Sequence, residues 1–327
     1  MATVRTKRAK LRKKLIGAMF VASLIFIMIS VSFSWFSSSE SASVSGVKME
    51  VTEGDSLLLK MGSEEDGVKD LEFDFDREYP LKAVSGNGKY FYDAILGYPD
   101  DALDNVEGDH TAVDREVLGY VPLSGLEDCE DYMRFGMFAY DFSMHIDRDT
   151  PVYIYPLSSD DVPSAVTPAP ASDYPDGNNK SPYGDFDIGN VCGAMRVAIL
   201  QKNAEGSYEP TFVWAPNTTI ELYKDDDGAL HVETDAEKVN PESKYIYLGE
   251  DSSSPIEISS GDSLQGSVVV DGVTYAWGAL ESKLKIGQLS GSTDNNFRFV
   301  AWVDGNDREC HNALLSGLIV VKLHFGL

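Results

Sequence analysis

Before Glu40 the chain has no acidic residue, and after Val31 it has no second long apolar run. The first absence leaves a cationic start with nothing to offset it. The second excludes a protein that crosses a bilayer repeatedly on helices. Cysteine is scarce too: Cys129, Cys192 and Cys310 lie far apart and form no CxxC, so they frame neither a disulfide-dense scaffold nor a zinc ribbon. An exported location allows one disulfide with a thiol left over, or none, and the spacing assigns no pair.

Catalytic signatures are missing as well. The five histidines, His110, His145, His231, His311 and His324, include no HExxH and no pair at helical spacing. There is no GxSxG elbow, no Walker loop and no GxGxxG following a strand. No carboxylate pair stands out among 53 acids as the machinery of a glycosidase. These absences argue against an enzyme.

What is present begins with charge. The formal net charge is −26, yet Arg5, Lys7, Arg8, Lys10, Arg12, Lys13 and Lys14 all precede the apolar run, leaving 20 of the 27 cations against all 53 acids. A body so acidic repels nucleic acid and anionic membrane surfaces, so no nucleic-acid partner is expected.

Leu15 to Val31 reads LIGAMFVASLIFIMISV, without charge or proline. A bilayer needs roughly 20 apolar residues and a signal-peptide core about 7–15, so the run suits a signal peptide or an N-terminal membrane helix. The cationic flank stays cytoplasmic and the remainder is translocated. Ser32 and Ser34 place small side chains where a signal peptidase reads them, with the cut before Trp35. Alternatively Phe33, Trp35 and Phe36 form the interfacial belt of a retained helix. A pilin-type leader lacks its Glu, and no LPxTG motif lies near the C-terminus. The chain therefore divides into 1–34, a basic region with signal peptide or anchor, and 35–327, an acidic extracellular domain.

That domain reads as strands. Val268–Val270 and Val273–Trp277 flank Asp271-Gly272, a turn pair that accepts positive φ. Thr219–Tyr223 and Ala229–Thr234 flank Asp225-Asp226-Asp227-Gly228, and Asn190–Gln201 and Ser207–Trp214 flank another polar loop. Phe297–Val303, Leu318–Phe325, Val152–Tyr155 and Tyr245–Tyr247 add further strands. Alternation through Tyr132–Ile146 slips phase once, which predicts a bulge. Short helical turns are expected only at Asp93–Leu96 and Ala279–Lys285. Residues 156–187 hold Pro156, Pro163, Pro168, Pro170, Pro175 and Pro182, and read as a long loop. The pattern predicts an all-β, antiparallel, jelly-roll-like sandwich behind one N-terminal hydrophobic helix, as one domain rather than two subdomains.

Two features carry possible binding chemistry. Asp100, Asp101 and Asp104 in one polar loop, and Asp225, Asp226 and Asp227 in another, offer hard oxygen ligands suited to calcium, although neither has EF-hand spacing. Trp214, Trp277 and Trp302 fall on strands, where they either fill a core or stack on a glycan.

The junction Phe33-Ser34-Trp35-Phe36-Ser37, behind a Lys-rich start and an apolar core, resembles that of the exported TasA and camelysin group of Gram-positive bacteria. Gly193–Ile199, Phe212–Asn217 and Phe299–Asp307 with Cys310 are similar to segments of surface proteins from Clostridia-like bacteria with such leaders. The specific part of the resemblance covers about a tenth of the chain. It implies a strand over Ala42–Val51 after the junction, a jelly-roll-like exported domain, cleavage by a dedicated signal peptidase, and a role in extracellular fibres or biofilm matrix. Ser34 departs from the usual Ala, and no metalloprotease ligand motif carries over to any residue here. The reading is an exported cell-surface or matrix structural protein that self-associates. A surface adhesin or glycan-binding module is the alternative, and a metal-dependent hydrolase the third.

Overall fold

The computed structural model describes residues 42–53, 56–61, 67–94, 117–122, 126–174, 177–180, 187–216, 221–224, 230–233, 245–247, 256–258, 265–304 and 317–327. Ser41–Leu327 forms one compact unit. Its strands are β1 (Ala42–Val51), β2 (Leu58–Met61), β3 (Asp70–Leu81), β4 (Ala83–Gly86), β5 (Tyr90–Ala94), β6 (Val117–Pro122) and β7 (Phe138–Ile146). Then follow β8 (Thr150–Tyr155), β9 (Ala165–Pro168), β10 (Met195–Lys202), β11 (Tyr208–Ala215), β12 (Glu221–Lys224), β13 (Leu230–Glu233) and β14 (Tyr245–Tyr247). The last are β15 (Ile256–Ile258), β16 (Gly266–Val270), β17 (Val273–Trp277), β18 (Leu284–Leu289), β19 (Thr293–Asp304) and β20 (Leu318–Gly326). Among the described residues there is one α-helix, α1 (Cys129–Arg134), which precedes β7.

The strands form a six-stranded sheet, ordered β18-β8-β20-β1-β3 with β9 also on β20, and a ten-stranded sheet. The larger sheet runs β16-β17-β11-β10-β19 and then branches, to β4-β5-β6 and to β7-β2. β12–β13 and β14–β15 are separate hairpins. The chain is thus mostly β, as its period-two pattern predicts. Asp271 (φ 50°) and Gly272 (φ 83°) make the expected tight turn between β16 and β17.

Most ladders are antiparallel as expected, and the antiparallel reading is corrected at three: β1 with β20, β11 with β17, and β19 with β4 are parallel. Parallel neighbours need a long crossover, and a local alternation pattern carries no record of which distant strand lies alongside. Residues 156–187 are also more than a loop, because β9 pairs with Ile319–Lys322. Pro168 is its last residue, where the missing N–H costs least.

The phase slip near residue 137 is a helix, not a bulge. Asp128 caps α1 by accepting from the Asp131 N–H, and the Asp131 carboxylate accepts in return from the Asp128 N–H. Gly136 at φ 87° ends the turn, and a Cβ there would meet the Lys82 side chain at 2.5 Å. Conversely, Ala279–Lys285 contains no helix and runs into β18, and Asp93–Ala94 ends β5.

The largest cluster of buried side chains draws on both sheets. Phe325 of the smaller sheet stacks on Phe142 of the larger (centroids 5.9 Å apart), and Phe142 stacks on Phe297 at 5.7 Å. Phe138 and Phe299 meet edge-on at 5.9 Å. A second cluster lies on the opposite face of the larger sheet, where Trp302, Val300, Ala198, Leu200 and Val213 are covered by Phe91, Tyr132 and Met137. Phe91 meets Trp302 edge-on at 5.3 Å.

Phe299 sits at the centre of the shared core with no exposed surface. Phe299→Ala is expected to cost about 3–5 kcal/mol, read as a lower urea midpoint at unchanged slope.

Candidate functional site

Strands β10 and β19 are buried on both faces, and each carries an arginine amid apolar residues: Arg196 between Met195 and Val197, Arg298 between Phe297 and Phe299. Both project from the face of the larger sheet that bears Trp302. A guanidinium cannot shed its charge, so burial obliges the fold to supply an acceptor.

For Arg298 the acceptor is Asp141 on the neighbouring strand β7. The contact is a two-point one, Nε to Oδ1 at 2.6 Å and Nη2 to Oδ2 at 2.8 Å. The third nitrogen donates to the carbonyls of Leu126 and Glu127, just before α1. The guanidinium lies 4.2 Å from the Tyr208 ring centroid and 5.2 Å from that of Tyr132. Burial opposes the charge on Arg298, but Asp141 leaves its pKa raised. Arg196 Nε approaches Asp304 Oδ2 at 3.4 Å, both side chains being 2% exposed. Its Nη1 donates to the Met195 carbonyl at 3.0 Å.

Cys129 of α1 borders the Arg298 cluster. Burial, reinforced by the Asp141 charge, pushes its thiol up to about 12. The same two causes push the Tyr208 phenol up to about 12. A thiol and a phenol held protonated at neutral pH are poor nucleophiles, so the chemistry of this cluster is to fasten α1 onto the sheet. Cys192 is buried in the main core, where burial raises its thiol further.

Three polar groupings lie nearer the surface. Asp294 pairs with Lys60 at 3.0 Å and with His145 Nδ1 at 2.7 Å, and these two hydrogen bonds hold its carboxyl below the usual range. The Tyr155 hydroxyl donates to Glu53 Oε2 at 2.6 Å, while Lys283 donates to that hydroxyl at 3.0 Å and to the Leu327 carbonyl at 3.1 Å. Lys283 also lies over Tyr153, 4.6 Å from its centroid. The third grouping surrounds His324, 1% exposed beneath the turn that joins β8 to β9. Glu50 Oε2 is 3.6 Å from its Nδ1, and the Pro163 carbonyl faces the ring without a hydrogen bond of full geometry. Burial lowers its pKa against the pull of Glu50 and of the Pro163 carbonyl, and Lys48 and Lys322 lower it further.

Trp214, Trp277 and Trp302 are 1%, 7% and 0% exposed, so they fill cores and form no stacking platform. The half-buried Tyr153 and Tyr155 are the aromatic pair that alternation leaves near solvent. Ser32, Ser34 and Trp35, the apolar segment, Asp100, Asp101, Asp104, Asp225, Asp226, Asp227 and Cys310 lie outside the described residues. β12 and β13 do pair around the second aspartate loop, in the expected hairpin. Among the described residues no three His, Cys, Asp or Glu side chains gather as a metal site, and no helix is long and apolar enough to cross a membrane. Sequence reading passed over Arg196 and Arg298. The available signal was a cation inside an otherwise apolar strand.

No family model matches the chain, and no curated protein or solved structure matches it either.

Asp141 is 43% exposed and Arg298 only 2%, so the two halves of the pair are not equivalent. Asp141→Ala strands a buried cation and is expected to cost about 3 kcal/mol in chemical unfolding. Arg298→Met leaves a carboxylate that water can reach, and should cost less.

A second expectation concerns pH. His324 is held below its ordinary 6.5, so the unfolded chain takes up the proton first. Its share of stability is complete above pH 6.5 and drains as pH falls toward the folded value. Thermal unfolding of wild type and His324→Leu between pH 7.5 and 5.5 should show a shallower decline in the variant.

Proposed function

We propose that the chain is an exported structural protein of the cell surface or extracellular matrix, translocated by its N-terminal segment and acting through self-association. The observation that carries the reading is the placement of β1. This strand starts at Ala42, close in sequence to the apolar run that ends at Val31, and it is an interior strand of the smaller sheet. β1 pairs with β20 from Ser43 to Val51 on one side and with β3 from Ala42 to Glu50 on the other, both ladders shifting register between Val44 and Gly46. A pull on the chain from the N-terminal side loads both ladders in shear, so that many hydrogen bonds resist together. That suits a body held by, or assembled through, its N-terminal end.

The jelly-roll-like sandwich belongs to the same proposal. It is supported by the cluster of side chains that both sheets contribute to. The resemblance of the Phe33–Ser37 junction to exported fibre and matrix proteins supports the assembling role, and calcium bound by either aspartate loop would be an accessory to it. Burial of all three strand tryptophans weighs against the glycan-binding alternative.

N-terminal sequencing of protein recovered from its native cell surface tests the reading. The expected first residue is Trp35, and Ser34→Leu, which puts a large side chain at the cut, should leave the chain unprocessed and cell-bound. Recovery of the wild-type chain from the cytosol, inaccessible to protease added to intact cells, would sink it.

A further inference from the structure

Every open sheet edge is a row of unpaired N–H and C=O groups, and folded proteins blunt such rows with charge, proline or a cover. Most edges of this molecule are treated that way. β3 has an acid at every second position, Asp70, Glu72, Asp74, Asp76 and Glu78, followed by Pro80. On β18 the side chains of the other sheet cap the backbone. Gln201 bonds both the N–H and the carbonyl of Gln288, Thr211 donates to the Ile286 carbonyl, and Thr274 donates to that of Lys285. Beyond β2, Leu59 exchanges two backbone hydrogen bonds with Val68, at 2.8 and 2.7 Å. β9 lies against the 188–194 turn, whose Gly189 approaches Pro168 so closely that a Cβ would fall 2.4 Å from it. β6 ends in Pro122.

β16 has none of these devices. Its sequence, Gly-Ser-Val-Val-Val, contains no charge and no proline. One side pairs with β17, and among the described residues nothing pairs with the other. Val268 is 40% exposed and Val269 64%, so two successive β-branched side chains, one on each face of the strand, stand in solvent at the sheet's end. Within the strand, Gly266 is required for another reason. The Trp277 ring lies across it, and a Cβ would meet that ring at 2.6 Å, which keeps the end of the strand flat against its partner.

We infer that this edge is the contact through which two copies of the chain associate, β16 pairing antiparallel with β16 of a second copy about a two-fold axis. The inference rests on the self-associating role proposed above and assigns it a surface. Charge selects the occupant. The body after the apolar run carries 20 cations against 53 acids, so two copies repel overall, and close approach is least opposed along a strip without charge. β16 is such a strip. Antiparallel pairing centred on Val268 sets Val268 against Val268, Ser267 against Val269 and Gly266 against Val270, with no ionised group at any position. β-Branched pairs across the new ladder are favourable cross-strand neighbours, the two sheets become one continuous sheet, and the isologous contact closes on itself. A cationic partner would instead be drawn to the acids of β3, not to valines.

The test uses the full chain in detergent, followed by sedimentation. Wild type should associate, more strongly as ionic strength rises and screens the like charges. Val269→Lys should weaken association at least tenfold while leaving the thermal midpoint of dilute, unassociated protein unchanged. Val268→Cys should give, on mild oxidation, a disulfide-linked dimer that wild type with its native cysteines does not give, and adding Val269→Lys should abolish it. This second arm decides the matter if Val269→Lys alone disturbs folding. Association of Val269→Lys equal to wild type, with no Val268→Cys cross-link, overturns the edge while leaving the surface-assembly role standing. A wild-type chain that stays monomeric at every concentration and ionic strength overturns both.

Discussion

Strand β19 has no solvent side from Phe297 to Asp304, and much of the architecture follows from that. Its inward residues Phe297, Phe299, Ala301 and Val303 enter the core shared by the two sheets, while Val300 and Trp302 enter a second core on the opposite face. A strand covered twice must be flanked by full ladders, and β19 has them: β10 on one side, β7 and then β4 on the other. Its one cation, Arg298, must find its counter-charge inside the same packing. The Asp141 carboxylate, the last carbonyls before α1 and two tyrosine faces are arranged around it. The clamp fixes α1, and α1 supplies Tyr132 to the second core.

A different constraint governs the smaller sheet. β1 and β20 come from opposite ends of the described chain and lie side by side in parallel, so the sheet cannot be completed until nearly all of it has been made. Ser164 shows how finely the remaining gap is filled. Between the end of β8 and the start of β9 the β20 ladder lacks a partner, and the Ser164 hydroxyl supplies one, accepting from the His324 N–H and donating to the Tyr155 carbonyl. The histidine beneath that patch is buried, and burial holds its pKa below the ordinary value, which ties the local packing to proton concentration.

The acidity of the body and the open edge of β16 belong together. High like charge keeps copies apart wherever they meet at random, and an uncharged strand at the end of a sheet is the place where that barrier is lowest. In the self-association proposed above, one distribution of charge would both keep copies apart at random and select where they meet.

Strand content, the Asp271-Gly272 hairpin and the β12–β13 hairpin were legible in the sequence, because side-chain alternation and turn chemistry are local properties of the chain. The uncharged run behind seven cations was equally plain, and the proposed export rests on it. Only the tertiary structure decided that three ladders are parallel, that Trp214, Trp277 and Trp302 face cores, and that Arg298 meets Asp141. A phase slip could mean a bulge or a helix, and α1 became clear only from its capping carboxylates and Gly136. The physical reason is range: period and turn type are set by neighbours along the chain, whereas sheet order, the choice of buried face and the partner of a buried charge are set by residues brought from far away.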